Sequence, residues 1–319
     1  MQPLITIIVP CYNAEKRIKR CINSLLQQTY KNIEIILIND WSSDNTLEII
    51  TKFKESNKNI IVISKENWWA WQARNLGIKE SHWDFVTFVD ADDALENDAI
   101  EMMIKKLNKE TEIVISGMKY INHEGKYLYS QIPQFKAWYW NELKFNWTAF
   151  KLYKRDFLLK NWIFFWLQKI HEDLLFSVKA TSLSNYVEIL PLDKYIVYKD
   201  NNNSLTSSMK RNYMKWNEIN DLMWNIFDII NFWKYWKKSV KFFLLKTLIQ
   251  DILLYKTNKT TKDIYLSNYN FIQKKLGKIK FYYQKGETFK VNVVINTFIL
   301  FTKVRCIQIL LLLKEKLIW

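Results

Sequence analysis

A chain of 319 residues, 49% hydrophobic and 25% charged, is long enough to bury a full core, and its composition excludes a disordered, fibrous or collagen-like class. Its three cysteines (Cys11, Cys21, Cys306) make no C-x-x-C pair and its three histidines lie far apart, so neither a disulfide framework nor a zinc site is legible, which suits a reducing cytoplasm. The net charge of +15 is lopsided: Ser204–Trp319 holds 21 Lys and Arg against 7 Asp and Glu, whereas the preceding 203 residues hold 26 against 25, so an anionic partner is expected to meet the C-terminal third.

The apolar run Leu4–Val9 lacks a basic lead-in and is too short for a signal peptide; ending at Pro10, "LITIIVP" reads as a buried parallel strand. Residues 14–28 place Ile18, Cys21, Ile22, Leu25 and Leu26 at helical spacing. "IEIILIND" (33–40) predicts a second strand, 44–56 a helix, "NIIVIS" (59–64) a third strand, 69–80 a helix and "DFVTFVD" (84–90) a fourth strand. A helix at 97–109 and a strand at 111–117 follow, then looser aromatic segments, a helix at 171–183 and a strand at 193–200. From about residue 208 the chain reads as helical, Lys-rich and aromatic. The expected fold class is therefore α/β, a mostly parallel Rossmann-like sheet flanked by helices (1–207), followed by a basic helical region (208–319). Ligands bind such sheets at the C-terminal strand ends, near residues 10–13, 39–44, 64–74 and 90–93.

Those strand ends carry the chemistry. "FVDADD" puts Asp90 and Asp92 two apart on a strand end, so that they are expected to project to the same side, and paired carboxylates suit Mg²⁺ or Mn²⁺ bridging to a diphosphate. Alone the motif is equally well a solvated turn with Asp93 as a cap. "VPCYNAE" follows the first strand, "NDWSSDNT" the second, and "ARNLGI" opens the helix after the third. In this order and spacing the segments resemble the family-2 glycosyltransferases of the GT-A fold, strongly over residues 3–118 and more weakly to about 208 through "FKLYKRDFL", "HEDLLF" and "NNNSLTS".

The resemblance implies an inverting transfer of a sugar from a nucleotide-diphosphate donor, with a lean to UDP, to a hydroxyl of a surface glycan or lipid-linked acceptor. It implies that Pro10, Tyr12, Glu15 and Asp40 surround the nucleobase, that Arg74 lies near the nucleotide and Asp90 near the ribose, and that Asp92 holds Mn²⁺ or Mg²⁺. In "HEDLLF" it implies Asp173 as the general base with Glu172 beside it. The competing account is that both acids merely favour a helix N-terminus. His171 reads as a neighbour, not a ligand.

Glycine is scarce at 5 residues where about 22 are usual, while tryptophan reaches 15. Trp41 falls where the N-D-G-S-S-D turn of the resembled family has glycine, and Trp68 and Trp69 fall on its glycine pair. Trp71 and Trp83 fall where glycine is frequent. The expectation is that many of these tryptophans are glycine in the native protein, through a UGA codon read as Gly. If they are genuine, the chain is instead a catalytically inactive, GT-A-like binding protein.

The basic, aromatic C-terminal third also raises nucleic-acid binding, but no helix-turn-helix, zinc or RNP pattern accompanies it, and no nucleic-acid partner is expected. Residues 291–313 are apolar yet broken by Asn292, Asn296, Lys303, Arg305 and Gln308. That pattern is poor for a spanning helix and better for one lying in an anionic membrane surface, giving a cytoplasmic, peripheral placement at the inner face.

Overall fold

In a computed structural model the first apolar run forms β1 (Ile5–Cys11), followed by α1 (Ile18–Leu26), β2 (Ile33–Asp40), α2 (Thr46–Ser56), β3 (Ile60–Lys65) and α3 (Ala70–Glu80). Then come β4 (Phe85–Phe88), β5 (Ala94–Leu95), α4 (Ala99–Ile104), β6 (Ile113–Asn122), β7 (Tyr127–Gln131) and β8 (Lys151–Lys154). The series closes with α5 (Arg155–Lys160), α6 (Glu172–Leu183) and β9 (Val187–Lys199). The structure describes residues 2–65, 70–82, 84–122, 124–133, 148–165 and 172–199. The chain divides into two units, Met1–Asn201 and Asn202–Trp319, and all described residues belong to the first. The expected helices beyond residue 208, the apolar segment 291–313 and His171 lie outside the described residues.

Among the described residues one sheet runs in the order β3-β2-β1-β4-β8-β6-β9-β5, with β7 off this path, pairing Met118–Ile121 of β6. β3, β2, β1 and β4 are parallel, as the β-α alternation predicts, with Ile5 opposite Ile33 and Phe85. Beyond β4 the sheet turns mixed, because β8 pairs antiparallel with both β4 and β6. The short strands β7 and β8 fall in or beside the looser aromatic stretch, and β5 is a two-residue strand directly after the acidic motif, so no long periodic run announces any of them. β6 and β9 are longer than expected because they pair with each other from Ile113/Val187 to Asn122/Lys199 across a bulge.

Strand alternation divides the core. Ile5, Ile7, Val9 and Cys11 of β1 and Ile35 and Leu37 of β2 face α1, α2 and α4. Ile8, Ile36 and Ile38 face the opposite layer, with Ala73 and Leu76 of α3, Phe157 of α5 and Phe176 of α6. α3 lies so close to β1 that a Cβ at Gly77 would sit 2.4 Å from Cγ2 of Ile8. This contact seats the N-terminal turns of α3, and with them Arg74, over the ends of the parallel strands. Among the described residues no helix is long and apolar enough to cross a membrane.

Candidate active site

Two loops meet at the C-terminal ends of β1 and β2. The Asn13 N–H donates to Ser42 Oγ (3.1 Å), the Ser43 N–H to Asn13 Oδ1 (2.9 Å) and the Ala14 N–H to Thr46 Oγ1 (2.8 Å). Asp44 accepts from the Glu15 N–H (3.1 Å) and the Thr46 N–H (3.0 Å), while Glu15 Oε2 accepts from the N–H and the side-chain amide of Asn45, each at 3.1 Å. Partial burial opposes ionisation of Asp44, but hydrogen bonds from Thr46 and Glu15 hold its carboxyl below the usual range. Asp40 is buried at the end of β2, Pro10 is half-buried in β1, and Tyr12, directly after β1, is exposed. Trp41, next to Asp40, is exposed with φ of 58°.

A second cluster forms where α3, β4 and α6 converge. The Arg74 side chain, only 7% exposed, donates to Asp90 Oδ1 at 2.9 Å and lies 3.5 Å from Asp173 Oδ1. Its guanidinium sits 5.4 Å from the centre of the Phe165 ring. Thr148 Oγ donates to the same Asp173 oxygen at 2.6 Å, and the Asp173 side chain remains 36% exposed. One arginine therefore gathers carboxylates 83 positions apart in the chain into one site. Asp173 is the second residue of α6, where the helix N-terminus favours negative charge. The backbone of Glu172 begins α6, but its side chain lies outside the described residues.

The D-A-D-D segment departs from the expected strand end. β4 stops at Phe88, and the Asp93 N–H donates to Asp90 O at 3.0 Å, so residues 90–93 form a turn. Strand alternation no longer governs the carboxylates, and Asp90 and Asp92 face different partners. Asp90 faces Arg74, whereas Asp92 Oδ2 lies 3.3 Å from Arg17 and its carbonyl accepts from Arg20 at 2.7 Å. Asp93 is buried, accepting the Tyr195 hydroxyl at 2.8 Å and the Tyr198 N–H at 3.2 Å, and so ties the turn to β9. Burial, reinforced by Asp90 and Asp92, pushes the Asp93 carboxyl well above its usual range. Burial also raises Asp90, with Arg74 opposing and Asp173 and Asp92 reinforcing.

Among the described residues no three His, Cys, Asp or Glu side chains form a group able to hold a metal. Asp92 nevertheless offers hard carboxylate oxygens with 47% of its side chain open, which fits an ion shared between one or two protein carboxylates and a substrate diphosphate. Burial raises the thiols of Cys11, to about 12, and Cys21, so neither is an activated nucleophile. Sequence reasoning missed Arg17, Arg20, Thr148 and Tyr195. The arginines, three apart at the start of an amphipathic helix, had a readable signal; Thr148 and Tyr195 reach the site only through sheet pairing.

A carboxylate-rich site at the ends of parallel strands, on a mixed sheet covered by helices, has the architecture of the GT-A fold. Residues 6–164 match the family described as "Glycosyl transferase family 2". "Uncharacterized glycosyltransferase EpsJ" of Bacillus subtilis is 34% identical over 224 residues, covering 65% of this chain and 64% of that one. "Chondroitin synthase" of Pasteurella multocida is 34% identical over 125 residues, 39% of this chain and 13% of that one. In fold, the chain is similar to S. aureus TarS 1–349 in complex with UDP-GlcNAc, with a TM-score of 0.73 at 19% identity over 94% of this chain and 87% of that chain. The chain thus belongs to the family-2 glycosyltransferases, with a GT-A fold. It spans less than two thirds of the length of the curated relatives it matches.

Proposed function

We propose that the chain transfers a sugar, with inversion, from a UDP-sugar to a hydroxyl of a glycan or lipid-linked acceptor. The observation that carries this reading is the Arg74 bridge, which sets Asp173 beside the strand ends expected to hold the donor. The loops at 10–15 and 40–46 form the nucleobase side, where Asp40 accepts the base N–H and Tyr12 covers it. Arg74 positions Asp90 toward the ribose. Asp173 accepts the proton of the acceptor hydroxyl as that oxygen attacks the anomeric carbon opposite the leaving diphosphate. Thr148 and Arg74 both contact one oxygen of Asp173, which fixes the carboxylate's rotation and directs its other oxygen toward the acceptor.

Asp92 is the residue proposed to hold Mg²⁺ or Mn²⁺, whose contribution when bound is to neutralise charge on the departing diphosphate. Support for the acceptor class comes from the polysaccharide-synthase relative, and support for a UDP donor from the fold neighbour crystallised with UDP-GlcNAc. The basic region 208–319 is assigned to contact with an anionic leaflet or lipid-linked acceptor at the inner face of the membrane, on charge alone. The test is UDP release from a panel of UDP- and GDP-sugars, with Mn²⁺ and with chelator. Metal-dependent turnover confined to UDP donors is expected; a preference for GDP-sugars, or full activity in chelator, overturns the donor or metal assignment.

A further inference from the structure

Left-handed backbone is uncommon outside glycine, and for a bulky residue it is a strained outlier. Among the described residues four non-glycine positions adopt it: Asn13 (φ 44°), Trp41 (58°), Phe150 (55°) and Trp162 (52°). Asparagine tolerates the conformation. Phe150 is wholly buried with its ring 5.7 Å from that of Tyr195, so the core over-determines it. Neither explanation serves the tryptophans, whose residues are 54% (Trp41) and 76% (Trp162) exposed.

Trp162 stands where a helix stops. After α5 ends at Lys160, the Trp162 N–H donates to Leu159 O (3.1 Å) and the Ile163 N–H to Leu158 O (2.8 Å). This pair of bonds is the Schellman closure, whose left-handed residue is usually glycine. Trp41 opens the turn after β2, directly before Ser42, whose N–H reaches Asn39 Oδ1 at 3.4 Å. In the hairpin between β6 and β7 this chain does use glycine for positive φ, at Gly125 (84°). Three tryptophans have described backbones, Trp41, Trp71 and Trp162, and two of them are left-handed. At a background of a few per cent, that coincidence is on the order of one in a few hundred. Trp71 is helical, which any residue adopts, and Trp68, Trp69 and Trp83 lie outside the described residues.

We infer that positions 41 and 162 are glycine in the protein its own cell makes, the gene carrying UGA at both codons and the cell reading UGA as glycine. No motif of the family resemblance marks Trp162, so its left-handed backbone is independent of that resemblance. Glycine at these two positions moves both unusual counts toward the ordinary, glycine from 5 to 7 and tryptophan from 15 to 13. At position 41 it also removes an indole from the rim beside Asp40 and Tyr12, leaving a bare left-handed backbone facing the proposed base site. Because the inference rests on torsion angles, failure of the transferase reading would leave it intact; tryptophan confirmed at position 41 would instead favour the inactive binding protein, which the UDP-release assay distinguishes.

The test reads codons 41 and 162 in the gene and the matching peptides of protein purified from the source cells. UGA with glycine-containing peptides is expected; UGG at either codon, or tryptophan in either peptide, overturns the inference. A second measurement uses recombinant chain bearing tryptophan at both positions. Trp162→Gly and Trp41→Gly should each raise the melting midpoint by about 2–3 °C through relief of strain. Trp162→Ala removes the exposed indole but keeps the Cβ and should gain little. Equal gains from alanine and glycine would overturn the strain argument on which the inference stands.

Discussion

The loops after β1 and β2 are joined by backbone N–H groups that reach hydroxyl, amide and carboxylate side chains, whereas the turn after β4 and the start of α6 are joined by arginine. In the first region the bonds from Asn13, Ala14, Glu15, Ser43 and Asn45 mostly run from a backbone N–H to a neighbouring side chain. In the second, Arg74 stands against Asp90 and Asp173, and Arg17 against Asp92, carboxylates that would otherwise repel one another. A region held by many modest hydrogen bonds keeps its shape when one is lost. A region held by few charges fails when one charge is removed or moved. Chemistry is therefore expected to be concentrated in the arginine-linked cluster, and recognition spread over the backbone-linked loops.

The sharpest way to break that contrast is Asp173→Asn, which keeps the shape and loses the basicity. Transfer should fall by roughly 10²–10⁴-fold, while nucleotide-sugar affinity measured by calorimetry stays level. A loss of affinity in step with rate would make Asp173 a helix-terminal residue and no base. Next in size, Asp92→Ala should lower turnover by roughly 10²–10³-fold, with the remainder insensitive to added Mn²⁺. If the variant still responds to Mn²⁺ as the parent does, the ion is held elsewhere.

Asp93 sharpens the comparison through pH. Its carboxyl is raised in the folded state by burial first and by Asp90 and Asp92 second, so the native protein binds a proton more tightly than the unfolded chain does. Stability from this group is fully present below the unfolded value, near 3.8, and is lost as pH rises through the higher folded value. Within that window Asp93 contributes a slope of up to about −1.4 kcal/mol per pH unit. Asp44, whose folded value is lowered, acts oppositely and only at more acid pH. Urea titrations at several pH values above 4 should show a negative slope that Asp93→Asn flattens; an unchanged slope would mean that Asp93 is not the group responsible.

The parallel half of the sheet is legible in the residues themselves. The apolar runs at 5–11 and 33–40 are β-branched and bounded by turn residues, so their pattern alone marks buried parallel strands. That Asp40, Arg74 and Asp90 fall on the C-terminal side of the parallel strands follows from the β-α alternation, because such folds bring the loops after those strands to one edge of the sheet. The mixed half resists because β5 has two residues and β8 has four, too few to show a period. The divergence of Asp90 from Asp92 is hidden because it depends on β4 stopping at Phe88, two residues short of the acidic motif. Trp162 gives no signal of its own, because a helix stop is marked by glycine and tryptophan stands there instead.

The smallest effect belongs to the backbone-linked loops. Glu15 reaches across to Asn45 at the start of α2, accepting from both its N–H and its side-chain amide. Glu15→Ala removes an acceptor from a site open to solvent, so water takes over part of the role and the cost is about 0.5–1 kcal/mol. The turn at 41–46 then samples a wider range of positions, and donor affinity should drop by roughly 2–5-fold, the same free energy expressed as binding. The catalytic rate at saturating donor should not move, because no charge near Asp173 has changed. Glu15→Gln keeps a carbonyl oxygen for Asn45 and should bind donor nearly as well as the parent. If glutamine proves as harmful as alanine, the negative charge itself contacts the donor. In that case recognition in this region, too, is electrostatic, and the contrast between the two sides of the cleft is lost.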